Sequence, residues 1–128
     1  MGLFDFLSKK PYVRYLDEGH HFFNLGRYAE AVASFDKAIA LNPDNADTWF
    51  LRGGALDKLG RDEEAVASFD RAISLNPGNV HTWILRGILL KKLGRDEEAV
   101  ASFDKAIAID PKNADAAILR ESILKGQP

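Results

Sequence analysis

The side chains that could perform chemistry are few and are scattered along the 128-residue chain. There is no cysteine, which removes disulfides, thiolate catalysis and cysteine-ligated zinc. His20 and His21 are neighbours, so on a helix they point about 100° apart and form a poor chelating pair. The only metal-binding or enzymatic alternative is His20 and His81 with Asp47 or Asp57, and we predict neither a bound metal nor a cofactor.

Serine, glycine and arginine recur with the scaffold, which indicates structural roles. Ser34, Ser68 and Ser102 lie 34 residues apart, and none has the context of a nucleophile elbow. No glycine loop that could cradle a phosphate is present. We expect a recurring set of arginines to pair with aspartates of the preceding helix rather than with phosphate. These predicted pairs are Asp36–Arg52, Asp70–Arg86 and Asp104–Arg120. We therefore predict no enzymatic activity, and the net charge of −2 argues against nucleic-acid binding.

An 18-residue segment that occurs three times organises the chain. It spans residues 26–43, 60–77 and 94–111, and each outer copy matches the middle copy at 14 of 18 positions. The copies lie 34 residues apart, and a fixed period of this length is typical of stacked helical repeats. One helix pair cannot bury its apolar face alone, so stacking of neighbouring pairs must supply the core.

Proline, glycine and asparagine mark where the helices begin and end. Pro11 suits the first turn of a helix, and Gly26 supplies the left-handed residue that ends it. Asn45, Asn79 and Asn113 are placed to accept from the free N–H groups of the next helix. The predicted helices span about residues 11–25, 28–41, 46–59, 62–75, 80–93, 96–109 and 114–124.

Aromatic and small residues at fixed places in each copy resemble the signature of the tetratricopeptide repeat. The middle copy has Trp49, Gly53, Gly60, Ala65, Phe69, Ala72 and Pro77. The first copy has Tyr15, Gly19, Gly26, Ala31, Phe35, Ala38 and Pro43, and the third has Trp83, Gly87, Gly94, Ala99, Phe103, Ala106 and Pro111. Glu18, Arg52, Arg86 and Arg120 stand where the family usually has leucine, and basic residues there look like an archaeal or bacterial variant.

The resemblance implies an all-α fold, an α-α superhelix in which antiparallel helix pairs form a right-handed solenoid. Its predicted segments are an apolar lead-in (1–10), three repeats (11–45, 46–79 and 80–113), a C-terminal capping helix (114–125) and a tail (126–128). In this family the first helix of each pair, helix A, lines a concave groove that binds peptides or helices of partner proteins. We therefore predict a protein–protein interaction module, acting as an adaptor or scaffold.

The family's groove-lining positions predict which side chains meet the partner. They are Val13, Leu16, His20, Phe23 and Asn24 on the first A helix, and Asp47, Phe50, Gly54, Asp57 and Lys58 on the second. The third A helix adds His81, Ile84, Ile88, Lys91 and Lys92, and the last helix adds Asp115, Ile118 and Ser122. An apolar stripe is expected at one equivalent position, formed by Leu16, Phe50, Ile84 and Ile118. Such a stripe either docks a partner helix or is covered within the chain.

One subgroup of the family binds the C-terminal carboxylate of chaperones through a clamp of lysine, asparagine and arginine. At the clamp positions this sequence has Leu16, His20, Leu51, His81 and Leu85. The resemblance therefore does not imply binding of a chaperone tail.

Both ends of the chain favour self-association. The lead-in is apolar through Leu3, Phe4, Phe6 and Leu7, and the last helix is more apolar than the polar cap usual at a solenoid end. A homo-oligomer formed through the N-terminal segment or the C-terminal helix, without a foreign ligand, is thus an open alternative. No stretch is long and apolar enough to span a membrane, and the start is too short for a signal peptide. We expect a soluble, cytoplasmic protein.

Overall fold

The computed structural model describes residues 2–126, except for the side chain of Phe6. Within that range the chain forms eight α-helices and no strand, so the predicted all-α fold class is confirmed. The helices are α1 (Leu3–Ser8), α2 (Pro11–Asn24), α3 (Tyr28–Leu41), α4 (Ala46–Lys58), α5 (Asp62–Leu75), α6 (Val80–Lys92), α7 (Asp96–Ile109) and α8 (Ala114–Leu124). Residue 1 of the predicted lead-in and residues 127–128 of the predicted tail lie outside the described residues.

Two compact units make up the chain, the first ending at Leu75 and the second beginning at Asn76. In the first unit α2 packs on α3, α3 on α4, and α4 on α5. In the second unit α6 packs on α7, and α8 contacts both of them. Short turns join the two helices of each pair, so the pairs are antiparallel. The A helices are therefore α2, α4 and α6, and α8 follows in the same register.

The predicted helix boundaries agree with the structure to within one residue. Gly26, Gly60 and Gly94 have φ angles of 75°, 74° and 77°, which only glycine adopts without strain. After Gly60, the backbone N–H of Arg61 donates to the Leu56 carbonyl over 2.9 Å, so the turn satisfies a carbonyl that the helix end would leave free. This geometry ends each A helix and turns the chain back along it.

Asparagine side chains begin the later A helices, as predicted. Asn45 Oδ1 accepts from the backbone N–H groups of Asp47 and Thr48 at 3.0 and 3.3 Å. Asn79 and Asn113 accept in the same way at the starts of α6 and α8. Each side chain satisfies donors that have no partner inside the helix.

A phenylalanine ring packed on a glycine holds each helix pair together. Phe69 is 1% exposed, and a Cβ added to Gly53 would stand 2.7 Å from its ring. Phe103 and Gly87 repeat the contact, with a distance of 2.6 Å. Real Cβ atoms do not come this close to another atom, so a side chain at these positions would force the ring to move. Glycine therefore sets how near the two helices of a pair lie.

Candidate partner-binding face

The A helices of the first unit carry aromatic side chains that are anchored in the core and still reach solvent. Phe50 is half-buried, and its ring centroid lies 5.9 Å from that of Phe69. Phe23 is also half-buried, and its ring meets that of Tyr28 edge-to-face at 5.2 Å. A Cβ on Gly54 would lie 3.9 Å from Phe23, so Phe23 of α2 reaches across to α4. The structure thus brings predicted groove residues of two A helices together.

The other predicted groove residues of this unit surround the two rings with mixed polarity. The exposed residues are His20, Asn24, Asp47 and Lys58. The half-buried residues are Val13, Leu16, Gly54 and Asp57. The His20 ring rests edge-on against Phe35, with centroids 6.1 Å apart, so its position is also set by the core.

The predicted groove residues of the second unit differ more widely in burial. Ile84 is buried, with 9% exposure, whereas Ile118 at the equivalent position of α8 is 63% exposed. The other exposed residues are His81, Ile88, Lys92 and Asp115, and the half-buried ones are Lys91 and Ser122. Among the predicted groove residues of this unit, Ile88 and Ile118 supply the accessible apolar surface.

The recurring arginines are held by the scaffold. Arg52 Nε donates to Asp36 at 2.7 Å, and its Nη1 donates to the buried hydroxyl of Ser68 at 2.7 Å. Arg120 Nε meets Asp104 at 2.5 Å. Two of the three predicted pairs are therefore present, and the third joins residues of different units and stays a prediction.

Sequence reasoning treated the recurring serines as structural but missed their partners. Ser102 accepts from Arg86 Nη1 at 2.7 Å, as Ser68 does from Arg52. In the first repeat the direction reverses, because Ser34 donates to Glu18 at 3.2 Å. The signal lay in the sequence, since each serine follows its partner by 16 residues.

Exposed ion pairs repeat at the start of each B helix and perturb two carboxyl groups. Hydrogen bonds from Arg95 lower the pKa of Glu98, against a smaller opposing effect of desolvation. Arg61 lowers the pKa of Glu64 in the same way. Such pairs on the first turn support the helix and offer no acid–base catalyst.

Residues 2–126 contain no group of three or more His, Cys, Asp or Glu side chains arranged to hold a metal ion. Nor does any helix of the described chain combine the length and apolar character needed to cross a bilayer.

Solved structures similar to this chain are tetratricopeptide repeat domains and the protein MamA. The second such domain of human RPAP3, in complex with an HSP70 peptide, is 27% identical, with a TM-score of 0.83 over 89% of this chain and 95% of that chain. The Arabidopsis OM64 domain is 25% identical, with a TM-score of 0.84 over 91% of this chain and 96% of that one. MamA, at 22% identity, has a TM-score of 0.87 over 90% of this chain and 67% of that chain, which shows a shared fold.

Among curated protein sequences no relative matches the chain. Two profiles of the tetratricopeptide repeat match residues 16–80 and 81–113, which together cover most of the sequence. The three signature sets, the glycine-ended A helices and the phenylalanine–glycine contacts are all present in the same 34-residue register. The chain belongs to the tetratricopeptide repeat family.

Proposed function

We propose that the chain is a protein–protein interaction module that binds a peptide or helix of a partner on its A-helix faces. The observation that carries this proposal is the full or partial exposure of apolar groups at the family's groove positions. They are Phe23 and Phe50 in the first unit, and Ile88 and Ile118 in the second. Exposed apolar groups favour binding because a partner that covers them removes apolar surface from water. The Phe50 ring, which is held against Phe69, also loses little conformational entropy on binding.

A helix with apolar anchors is the ligand that best fits these faces. Side chains at positions i, i+4 and i+7 of an amphipathic helix lie on one side and match a row of apolar groups. Exposed His20, Asn24 and Lys58 would then meet polar groups at the edge of such a helix. The ligand side chains that contribute most to the affinity are expected to be large and apolar.

The C-terminal tail of a chaperone is a poor candidate for this ligand, although the RPAP3 domain was solved with an HSP70 peptide. The clamp positions hold Leu16, His20, Leu51, His81 and Leu85. Leucine supplies no hydrogen bond to a carboxylate, so the principal source of affinity for such a tail is missing. Calorimetric titration with the C-terminal HSP70 peptide should therefore give no measurable heat of binding.

Selection of helical peptides from a displayed library tests the proposal. The tightest peptide should lose affinity at least tenfold on Ile88→Glu, which places a charge among the apolar contacts. Leu41→Glu is the matched control, because Leu41 is similarly exposed but lies at the end of a B helix. For a peptide that binds the first unit, Phe50→Glu should weaken binding, provided that its circular dichroism spectrum is unchanged, since Phe50 contacts Phe69. Equal affinity for wild type and Ile88→Glu would contradict the proposed face in the second unit.

A further inference from the structure

The end of the second unit exposes apolar side chains that are covered elsewhere in the repeat. Leu56 and Leu90 are fully buried, whereas Leu124, at the same place in the 34-residue register, is 56% exposed. Leu124 lines a cleft of about 400 Å3 between the first turn of α7 and the last turn of α8. The cleft is lined by the apolar residues Val100, Ile123 and Leu124 and by the acidic residues Asp96 and Glu97, which we call its acidic rim.

The α8 surface does not suit another helix of the repeat type, because it lacks the glycine of the A helices. Gly19, Gly53 and Gly87 leave room for a phenylalanine ring of the following helix. The next residue in that register is Glu121, whose exposed side chain lies 3.9 Å from Lys125 Nζ. A helix that presents phenylalanine there would clash with the side chain and bury its charge. A segment that lacks this phenylalanine therefore suits the α8 surface better.

The first helix of the chain has the matching character. Within α1, Leu3, Phe4 and Leu7 are 73%, 82% and 55% exposed. Apolar groups so exposed are costly unless another surface covers them. Two lysines follow α1 directly. Lys9 is held by Asp17 at 2.6 Å, and Lys10 is exposed.

We infer that α1 of one copy docks in the α7–α8 cleft of a second copy. The apolar side chains of α1 cover Leu124 and its neighbours, and Lys10 lies near the acidic rim formed by Asp96 and Glu97. The two surfaces thus complement each other in both polarity and charge. This interface is separate from the A-helix faces that we propose for a foreign ligand.

The contact joins two different surfaces, so a dimer still has one unoccupied α1 and one unoccupied cleft. These surfaces can bind further copies until the assembly closes into a ring. A six-residue helix covers much less than the ~800 Å2 per partner of a standard interface, so association is expected to be weak and to require high protein concentration.

Mixing two variants tests the inference by sedimentation velocity. Phe4→Glu places a charge on the apolar surface of α1, and Leu124→Glu places a charge in the cleft. Each variant alone should stay monomeric at concentrations where wild type associates. An equimolar mixture should form dimers and nothing larger, because one intact α1 then meets one intact cleft.

The matched control for both changes is Leu41→Glu, since Leu41 is the 55% exposed last residue of α3 just as Leu124 is the last residue of α8. This control should associate like wild type. A wild type that remains monomeric at every concentration would overturn the inference. So would association that survives either single variant, or a mixture of the two variants that stays monomeric.

Discussion

Gly53 lies so close to Phe69 that a Cβ on the glycine would stand 2.7 Å from the ring. Gly53→Ala should therefore destabilise the first unit by about 1–3 kcal/mol, because the buried ring must move in a packed core. The neighbouring Gly54 is the matched control, since its Cβ would meet nothing closer than 3.9 Å.

Gly54→Ala should stabilise the protein by up to about 1 kcal/mol through helix propensity. Urea unfolding followed by circular dichroism measures both changes. If the two substitutions changed the stability equally, the close contact between Gly53 and Phe69 would have no energetic role.

Arg52 serves two acceptors, and only one of them is buried. Arg52→Leu leaves the Ser68 hydroxyl without its donor, and Ser68 is 0% exposed. The expected loss of stability is about 1–2 kcal/mol. Asp36→Ala removes the exposed carboxylate of the other contact and should cost less than about 1 kcal/mol. A larger effect of Asp36→Ala than of Arg52→Leu would contradict this division.

The pKa of the Glu98 carboxyl is lowered by the hydrogen bonds from Arg95. A carboxyl whose pKa is lower in the folded state stabilises the fold above its unfolded pKa, and that contribution disappears as pH falls through the folded pKa. Glu98→Gln should therefore reduce stability at neutral pH and make no difference in strong acid. NMR titration of the side-chain carbon should show Glu98 titrating below its usual range, and Arg95→Gln should return it to that range. An unchanged titration in Arg95→Gln would show that the ion pair does not form in solution.

The helix boundaries were predictable because single residues impose them. Gly60 adopts a positive φ, and Asn45 caps α4, and both effects depend only on the local chain. Burial of the predicted groove residues was not predictable from the register. Ile84 and Ile118 occupy equivalent positions, yet one is buried and the other is mostly exposed. The helix that carries Ile84, α6, packs on α7, whereas the described residues contain no helix after α8 that could cover Ile118 in the same way.

The meaning of one residue in the 34-residue register, Glu121, becomes clear only from the packing of the helices. Glu121 lies 34 residues after Gly87, so it holds the place in α8 that glycine holds in the A helices. The sequence alone does not show why this matters; the contact between Gly53 and Phe69 does. Because the glycine lies against a phenylalanine ring in each helix pair, a glutamate at this place does not suit the same contact. Arg52 shows the same limit, because the sequence predicted its pairing with Asp36 but not its hydrogen bond to Ser68.

The most direct test of the proposed function is an NMR map of the backbone amides that shift when the tightest selected peptide binds. We expect the largest shifts on the A helices, either in α2 and α4 around Phe23 and Phe50 or in α6 around Ile88. Shifts concentrated on α3, α5 and α7, with the A helices unchanged, would contradict the account.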